Sequence, residues 1–122
     1  MIEELVSRTF AIRNAAHLAH WRAKGTGSFA KHMALGDFYD DIIEKVDTIV
    51  EAHQACSGEL IGLVKLAAQD TRRDILAAIT EDYDWATAHR EDIADGNPSI
   101  ENMIDDLCGT YQKVIYKLTF LA

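Results

Sequence analysis

Residues 17–53 read HLAHWRAKGTGSFAKHMALGDFYDDIIEKVDTIVEAH, and they carry the main evidence for the fold class. It contains four of the five histidines of the chain. Two glycines in KGTGS, residues 24–28, separate two segments in which apolar residues recur every three or four positions. That spacing is typical of amphipathic helices. The stretch therefore predicts two helices that fold back on each other through a short turn.

Helical periodicity continues outward from this turn, and no strand-type alternation persists anywhere in the chain. Helices are predicted at about residues 2–23, 28–55, 71–92 and 98–120. The predicted caps are Ser28 for the second helix, Thr71 with Asp74 as a capping box for the third, and Asn97 with Pro98 for the fourth. Gly96 is expected to end the third helix.

The connection at residues 58–70 contains ELIGLVKLAA, which predicts a short helix or an apolar crossover. It is long enough to cross a bundle between the second and third helices. The expected fold is therefore all-α, a ferritin-like four-helix bundle with one crossover connection. Its predicted core includes a stripe on each of the first two helices: Ile2, Leu5, Thr9, Ile12 and Ala16, then Leu35, Phe38, Ile42, Val46 and Ile49.

Composition narrows the classes of function. The 122 residues are 48% hydrophobic with a single proline and no Gly/Ser-rich linker, which predicts one domain over residues 1–122. The net charge is −8, and neither end of the chain carries a Lys/Arg cluster. Nucleic-acid binding is disfavoured because phosphate contacts need concentrated positive charge. An acidic surface suits cations or simple solubility.

The sequence also predicts a cytoplasmic protein without a membrane span. The first ten residues, MIEELVSRTF, carry acids where a signal peptide would carry basic residues, and no run of about 18 apolar residues exists. Cys56 and Cys108 lie far apart without a CxxC spacing, which favours two free thiols in a reducing compartment.

Two histidines are candidate metal ligands. His20 lies in the last turn of the first predicted helix and His32 in the second turn of the next, so their imidazoles can meet across the hairpin. Two converging imidazoles suit iron, zinc or copper. The alternative is that each histidine is a satisfied polar residue at the edge of the core.

Asp47 and Glu51 are candidate carboxylate ligands, since residues four apart share one face of a helix. The alternative is a solvated acidic face. However, the pair continues the stripe of His32 and Ile43, and burying two carboxylates without a cation is costly.

These four residues cannot bind one ion within a single chain. His32 and Asp47 are 15 residues apart on one helix, a distance of about 22 Å at 1.5 Å per residue. Two copies of the second helix packed antiparallel about a two-fold axis would bring the histidines of one chain to the carboxylates of the other. The Glu-x-x-His motif of di-iron bundles is absent from the sequence, which also favours a site between subunits.

The same residues carry a resemblance to a known family. The histidine–tryptophan pair, the lysine–glycine turn, the histidine twelve positions after the first and VDTIVE (46–51) resemble the ferroxidase motif of Dps proteins, ferritin-like shells that bind and oxidise iron. The final residues KVIYKLTFLA are similar to the last helix of that family, with Tyr116 where a tryptophan is usual.

The resemblance implies a function and a set of roles. His20 and His32 of one subunit and Asp47 and Glu51 of another would bind Fe(II), although zinc or another divalent metal is an alternative. Asp47 and Glu51 would be the catalytic carboxylates in oxidation by peroxide or O2, followed by storage of ferric iron. The expected partner is a second copy in an antiparallel dimer, extending to a shell of twelve subunits. Residues expected beside the ligands are His17, Trp21, Asp37 and His53.

One position departs from the Dps pattern. The family places a further aspartate ligand four residues after the second histidine, where this chain has Gly36, and Asp37 lies about 100° around the helix. We therefore expect one well-held metal with an open position. The segment HMALGDFYD (32–40) resembles short Dps-like proteins encoded by phages. The alternative function is a ferritin-fold interaction protein that has lost the chemistry; a helical metal-dependent hydrolase has less support.

Overall fold

The computed structural model describes residues 1–68 and 71–121 of the chain. In these residues it contains five helices and no strand: α1 Ile2–Arg22, α2 Ser28–Ser57, α3 Ile75–Ala88, α4 Arg90–Ala94 and α5 Pro98–Phe120. The prediction of an all-α fold is confirmed. Residues 69 and 70 of the predicted connection, and residue 122 of the predicted domain, lie outside the described residues.

The helices pack around one apolar core. Helix α1 contacts α2 and α3, while α5 contacts α2, α3 and α4. Both stripes predicted for the first two helices are buried in full. Thr9, the polar member of the first stripe, is accommodated because its hydroxyl donates to the carbonyls of Leu5 and Val6. The periodicity of the sequence therefore identified the interior correctly.

The turn between α1 and α2 depends on glycine. Gly25 and Gly27 have φ of +89° and +78°, in the left-handed region that favours glycine. The expectation that Ser28 caps α2 is wrong: Ser28 is already the first helical residue, and Gly27 occupies the cap position without a side-chain hydrogen bond. The turn geometry required glycine at the position where a serine hydroxyl would otherwise accept a backbone N–H.

The connection after α2 is not helical over residues 58–68. Its backbone is held instead by side chains of the bundle. The Glu3 carboxylate accepts from the N–H of Gly62 at 3.1 Å, and the Ser7 hydroxyl donates to the carbonyl of Lys65 at 2.7 Å. The short helix considered for this segment is therefore absent from residues 58–68, and the segment lies against α1.

The third predicted helix begins later and is interrupted. Asp74 rather than Thr71 is the N-cap of α3, and its carboxylate accepts from the N–H of Ala77 at 3.0 Å. The single helix predicted at 71–92 is divided by His89 into α3 and the short α4. The following boundary was predicted correctly, since Asn97 accepts from backbone N–H groups at the start of α5 and Pro98 is its first residue.

Within residues 1–68 and 71–121, no helix combines the length and the apolar character needed to cross a lipid bilayer.

Candidate metal centre

The centre of the candidate site is a pair of stacked imidazoles. The hairpin of α1 and α2 brings His20 and His32 together with ring centroids 3.6 Å apart and an interplanar angle of 19°. Each ring is hydrogen-bonded to the backbone of the other residue: His20 Nδ1 lies 2.6 Å from the carbonyl oxygen of His32, and His32 Nδ1 lies 2.9 Å from that of His20. The two histidines therefore meet as predicted, and the ring of each is hydrogen-bonded to the backbone of the other.

These hydrogen bonds determine which nitrogens are available. A carbonyl oxygen only accepts, so the proton must lie on Nδ1 of both His20 and His32. In a neutral imidazole the other nitrogen, Nε2, then carries a lone pair. A backbone carbonyl that fixes the tautomer and orientation of a histidine is the usual support of a metal-binding imidazole. The pair is chemically suited to bind metal through both Nε2 atoms.

The stacking limits how the pair can bind. Each nitrogen lone pair lies in the plane of its own ring, and the two rings are nearly parallel with centroids 3.6 Å apart. Lone pairs in two nearly parallel planes do not converge, so the two Nε2 atoms cannot both point at one ion unless a ring rotates. As they stand, His20 and His32 do not suit a single shared ion position.

Gly36 permits the close approach of His20 to α2. A Cβ atom at residue 36 would lie 3.2 Å from Cε1 and 3.4 Å from Nδ1 of the His20 ring, closer than ordinary van der Waals contact. The position where the Dps pattern has a ligand aspartate is thus next to the edge of an imidazole. The His20 ring can lie this close to α2 because residue 36 has no side chain.

Aromatic rings surround one side of the imidazole pair. His17 stacks on Tyr39 with centroids 4.1 Å apart, and Trp21 lies 4.3 Å from His17. Tyr39 also presents an edge-to-face contact to His20 at 5.3 Å. The His17 ring lies 6.1 Å from that of His20, while Trp21 contacts His17 and is 67% exposed. Tyr39 was not among the predicted residues, although its one-helical-turn spacing from Gly36 was an available signal.

The carboxylate pair lies apart from the imidazoles. Asp47 and Glu51 are both exposed on the second half of α2. In the described part of one chain, no three His, Cys, Asp or Glu side chains converge in a way that could hold a metal ion. One chain thus places two candidate nitrogen ligands where α1 ends and α2 begins, and two candidate carboxylates toward the end of α2.

The remaining candidates lie elsewhere. Asp37 is exposed and its carboxylate pairs with the ammonium group of Lys117 on α5 at 3.4 Å, so it is engaged with α5. His53 lines a cavity with Cys56 and Asn97 near the start of α5. The Sγ of Cys56 accepts from Asn97 Nδ2 at 3.0 Å, and both cysteines of the chain are free thiols.

A partly buried ionic cluster, not foreseen from the sequence, lies between α1, α3 and α5. The Arg8 guanidinium contacts the Asp82 carboxylate at 3.4 Å and lies 4.5 Å from the centre of the Trp85 ring. Burial raises the pKa of Asp82 to about 6, although the charge of Arg8 and its hydrogen bond act in the opposite direction. Burial also raises the pKa of Tyr111, with Asp82 adding to the shift. The cluster contains no nucleophile, and we assign it a structural role.

Comparison with known proteins gives one match. A protein-family profile described as "Family of unknown function (DUF5856)" matches residues 20–118. The matched range begins at His20 and includes both pairs of candidate ligands. No curated protein and no solved structure matches the chain.

Proposed function

This chain belongs to DUF5856, a family of unknown function, and we propose that it is a Dps-like protein that binds and oxidises Fe(II) between two subunits. The observation that carries the proposal is the reciprocal hydrogen bonding of His20 and His32, which directs both protons to Nδ1 and leaves both Nε2 atoms for metal.

The packing of the helices supports a ferritin-like assignment. Helix α1 contacts α2 and α3, and α5 contacts the same two helices, so the four long helices form a closed ring of neighbours. Residues 58–68 run along α1 in a non-helical conformation, as Gly62 and Lys65 show through their contacts with Glu3 and Ser7. A long connection between the second and third helices of a four-helix bundle is characteristic of ferritin-like folds.

An antiparallel dimer would complete the site. Asp47 and Glu51 lie about 22 Å or more along α2 from the histidines, so they can reach the imidazoles only from another chain. A two-fold axis near the middle of α2 would produce two equivalent sites, each with the histidines of one subunit and the carboxylates of its partner. A closed shell of twelve subunits would then provide a volume for ferric iron.

The proposed ligands suit the change in iron oxidation state. Imidazole nitrogen and carboxylate oxygen both bind Fe(II), and the carboxylates of Asp47 and Glu51 would favour the more highly charged Fe(III) product. Peroxide accepts one electron from each of two Fe(II) ions and, with two protons, becomes two water molecules. Because the rings of His20 and His32 are nearly parallel, each Nε2 atom would bind its own iron unless a ring rotates. Free Cys56 and Cys108 fit a reducing cytoplasm.

Mixing complementary variants tests the intersubunit site. One variant carries His20→Ala and His32→Ala; the other carries Asp47→Ala and Glu51→Ala. Each alone is expected to oxidise Fe(II) no faster than buffer in the presence of peroxide, as followed by the ferric absorbance rise. After the subunits are unfolded and refolded together, about one quarter of the wild-type rate should return, because half of random dimers are mixed and each has one intact site of two.

The control mixture contains the histidine variant and a chain with all four substitutions, which cannot form an intact site. Recovery in this control, or no recovery in the test mixture despite normal dimers, would contradict the proposal. A wild-type protein that binds Fe(II) or zinc and gains thermal stability without turnover would instead support the alternative function, an interaction protein in which the metal is structural. Gly36, which removes one expected carboxylate, is the observation that favours this alternative.

A further inference from the structure

A basic cleft lies on the bundle beside the start of α3. It has a volume of about 370 Å³ and is lined by Arg22 from α1, Lys31 from α2, and Thr71, Arg72, Arg73 and Asp74 from the residues that precede α3. We propose that this cleft binds a phosphate group, carried by free phosphate or by a small phosphomonoester. The inference does not depend on the proposed iron chemistry.

The charge of the cleft is opposite to that of the protein. Four cationic side chains and one carboxylate leave a formal charge of 4 − 1 = +3 in a chain whose net charge is −8. Three separate segments of the chain contribute these cations. The cleft is therefore more attractive to an anion than the acidic remainder of the chain.

Two cations of the cleft, Arg22 and Lys31, differ from other cations of the bundle. Arg8, Lys45, Arg90 and Lys117 each pair with a carboxylate. Among the described residues, no ion pair involves Arg22 or Lys31. Arg73 is already engaged with Glu81 and contributes only part of its charge to the cleft. The ligand would therefore be held chiefly by Arg22 and Lys31, with the nearby Arg72.

The start of α3 adds further attraction for an anion. This helix has 14 residues, and its N-terminus carries partial positive charge from backbone N–H groups that lack helical partners. The Asp74 carboxylate accepts from one of them, that of Ala77, so it is occupied by the helix cap. The hydroxyl of Thr71 provides a neutral donor at the same rim. Guanidinium, ammonium, hydroxyl and helix N-terminus are the groups that bind phosphate oxygens.

The size of the cleft selects a small ligand. A volume of about 370 Å³ lies near the lower end of the range for small-molecule sites, large enough for phosphate with a few attached carbon atoms. A second concave region adjoins it and shares Lys31, Asp74 and Ile75; its lining includes Leu118 and Leu121. A phosphomonoester could therefore place its phosphate among the cations and its carbon atoms toward these leucines.

Titration of the full chain with two probes tests the proposal. Sodium phosphate and glycerol 3-phosphate are added separately at constant ionic strength, which sodium chloride maintains, while backbone amide NMR signals and heat of binding are recorded. Saturable shifts are expected at Lys31, Thr71 and Ile75 with at least one probe. The probe that binds more tightly identifies the source of the phosphate group.

Two variants with the same loss of charge make the test specific. Arg22→Gln with Lys31→Gln should weaken binding at least tenfold, whereas Lys65→Gln with Lys113→Gln, which removes two exposed cations elsewhere, should change it less than twofold. Helix content and melting temperature confirm that both variants fold. Failure of both probes to saturate on the wild-type chain, or equal weakening in the two variants, would overturn the proposal.

Discussion

The two ends of α2 differ in how their candidate ligands are held. At the start of the helix, His32 is stacked on His20 and hydrogen-bonded to its backbone within one chain. Toward the end of the same helix, Asp47 and Glu51 are exposed. The imidazole half is preorganised by folding of the chain, whereas the carboxylate half would obtain its geometry only in the proposed dimer.

The histidine pair and the carboxylate pair are expected to contribute differently to the stability of the fold. The histidine pair forms hydrogen bonds and ring contacts that the fold loses if either imidazole is removed. The exposed carboxylates form no such contacts within the described part of the chain, so their removal should affect function without affecting folding of the subunit. Substitutions in the two pairs can thus distinguish an effect on folding of the subunit from an effect on the proposed intersubunit site.

The largest effect is expected from single substitutions in the two halves. His20→Ala and Asp47→Ala should each slow peroxide-dependent Fe(II) oxidation by about 100-fold or more, since losing even a residue that only supports a metal ligand costs about 10–100-fold. Only His20→Ala should also lower the free energy of unfolding, by about 1–2 kcal/mol, because it leaves the carbonyl of His32 without its donor. Stopped-flow absorbance and urea denaturation measure the two quantities.

Glu44→Ala is the matched control for the carboxylate half. Glu44 is exposed on the same helix, three residues before Asp47, and its substitution removes the same charge. The rate and the stability of this variant should remain near those of the wild type. If Asp47→Ala destabilised the subunit as much as His20→Ala, the distinction between a preorganised and an assembly-dependent half would be lost.

A second prediction contrasts a buried carboxylate with an exposed one. Burial raises the pKa of Asp82 to about 6, above the value near 3.9 expected in the unfolded chain. The folded state therefore keeps a proton that the unfolded state loses, and stability attributable to Asp82 falls as the pH rises from about 4 to 6. The loss is about 1–3 kcal/mol and is complete above this window.

Comparison of two amide variants isolates this contribution. Asp82→Asn should flatten the fall between pH 4 and 6, since the neutral amide has no proton to keep and can still accept from Arg8. Glu44→Gln makes the same carboxyl-to-amide change on an exposed residue outside the proposed site and serves as the control. Urea unfolding at a series of pH values provides the measurement, and identical slopes for Asp82→Asn and the wild type would refute the assignment.

Much of the fold was predictable because burial follows simple periodicity. The stripe from Leu35 to Ile49 is buried as the sequence indicated, and Asn97 with Pro98 marks the start of α5 correctly. The prediction failed at the start of the third helix and in the connection before it. Thr71 was expected to cap the third helix, but Asp74 does so. The connection that could have been a short helix is held by hydrogen bonds to α1.

The candidate site was predictable only in part. Helical spacing across the hairpin was sufficient to bring His20 and His32 together. Their shared Nδ1–H tautomer could not be predicted, because it depends on the positions of two backbone carbonyls. The basic cleft was missed because Arg22, Lys31 and Arg72 come from three segments distant in sequence. A search for charge clusters along the chain cannot detect residues that only folding brings together.

The smallest predicted effect concerns glycines in helix interiors. A methyl group at Gly109 in α5 would have no atom of the described residues within 4 Å, so Gly109→Ala should stabilise the protein by about 0.5–1 kcal/mol through the lower entropy of the unfolded chain. Gly36→Ala gains the same entropic contribution. It also places a methyl group 3.2 Å from Cε1 of His20, whose ring is restrained by the carbonyl and imidazole of His32. We expect that crowding to cancel the gain, so that Gly36→Ala is no more stable than the wild type.

Chemical denaturation and the NMR signals of the His20 ring distinguish the two glycines. Gly36→Ala should shift the His20 Cε1–H signal and weaken metal binding several-fold, while Gly109→Ala should change neither. Equal stabilisation by the two substitutions would mean that the His20 ring moves aside freely. In that case the imidazole half would not be preorganised, and both halves of α2 would depend on a partner to the same extent. The comparison between the two glycines therefore measures how rigidly a single chain holds its half of the site.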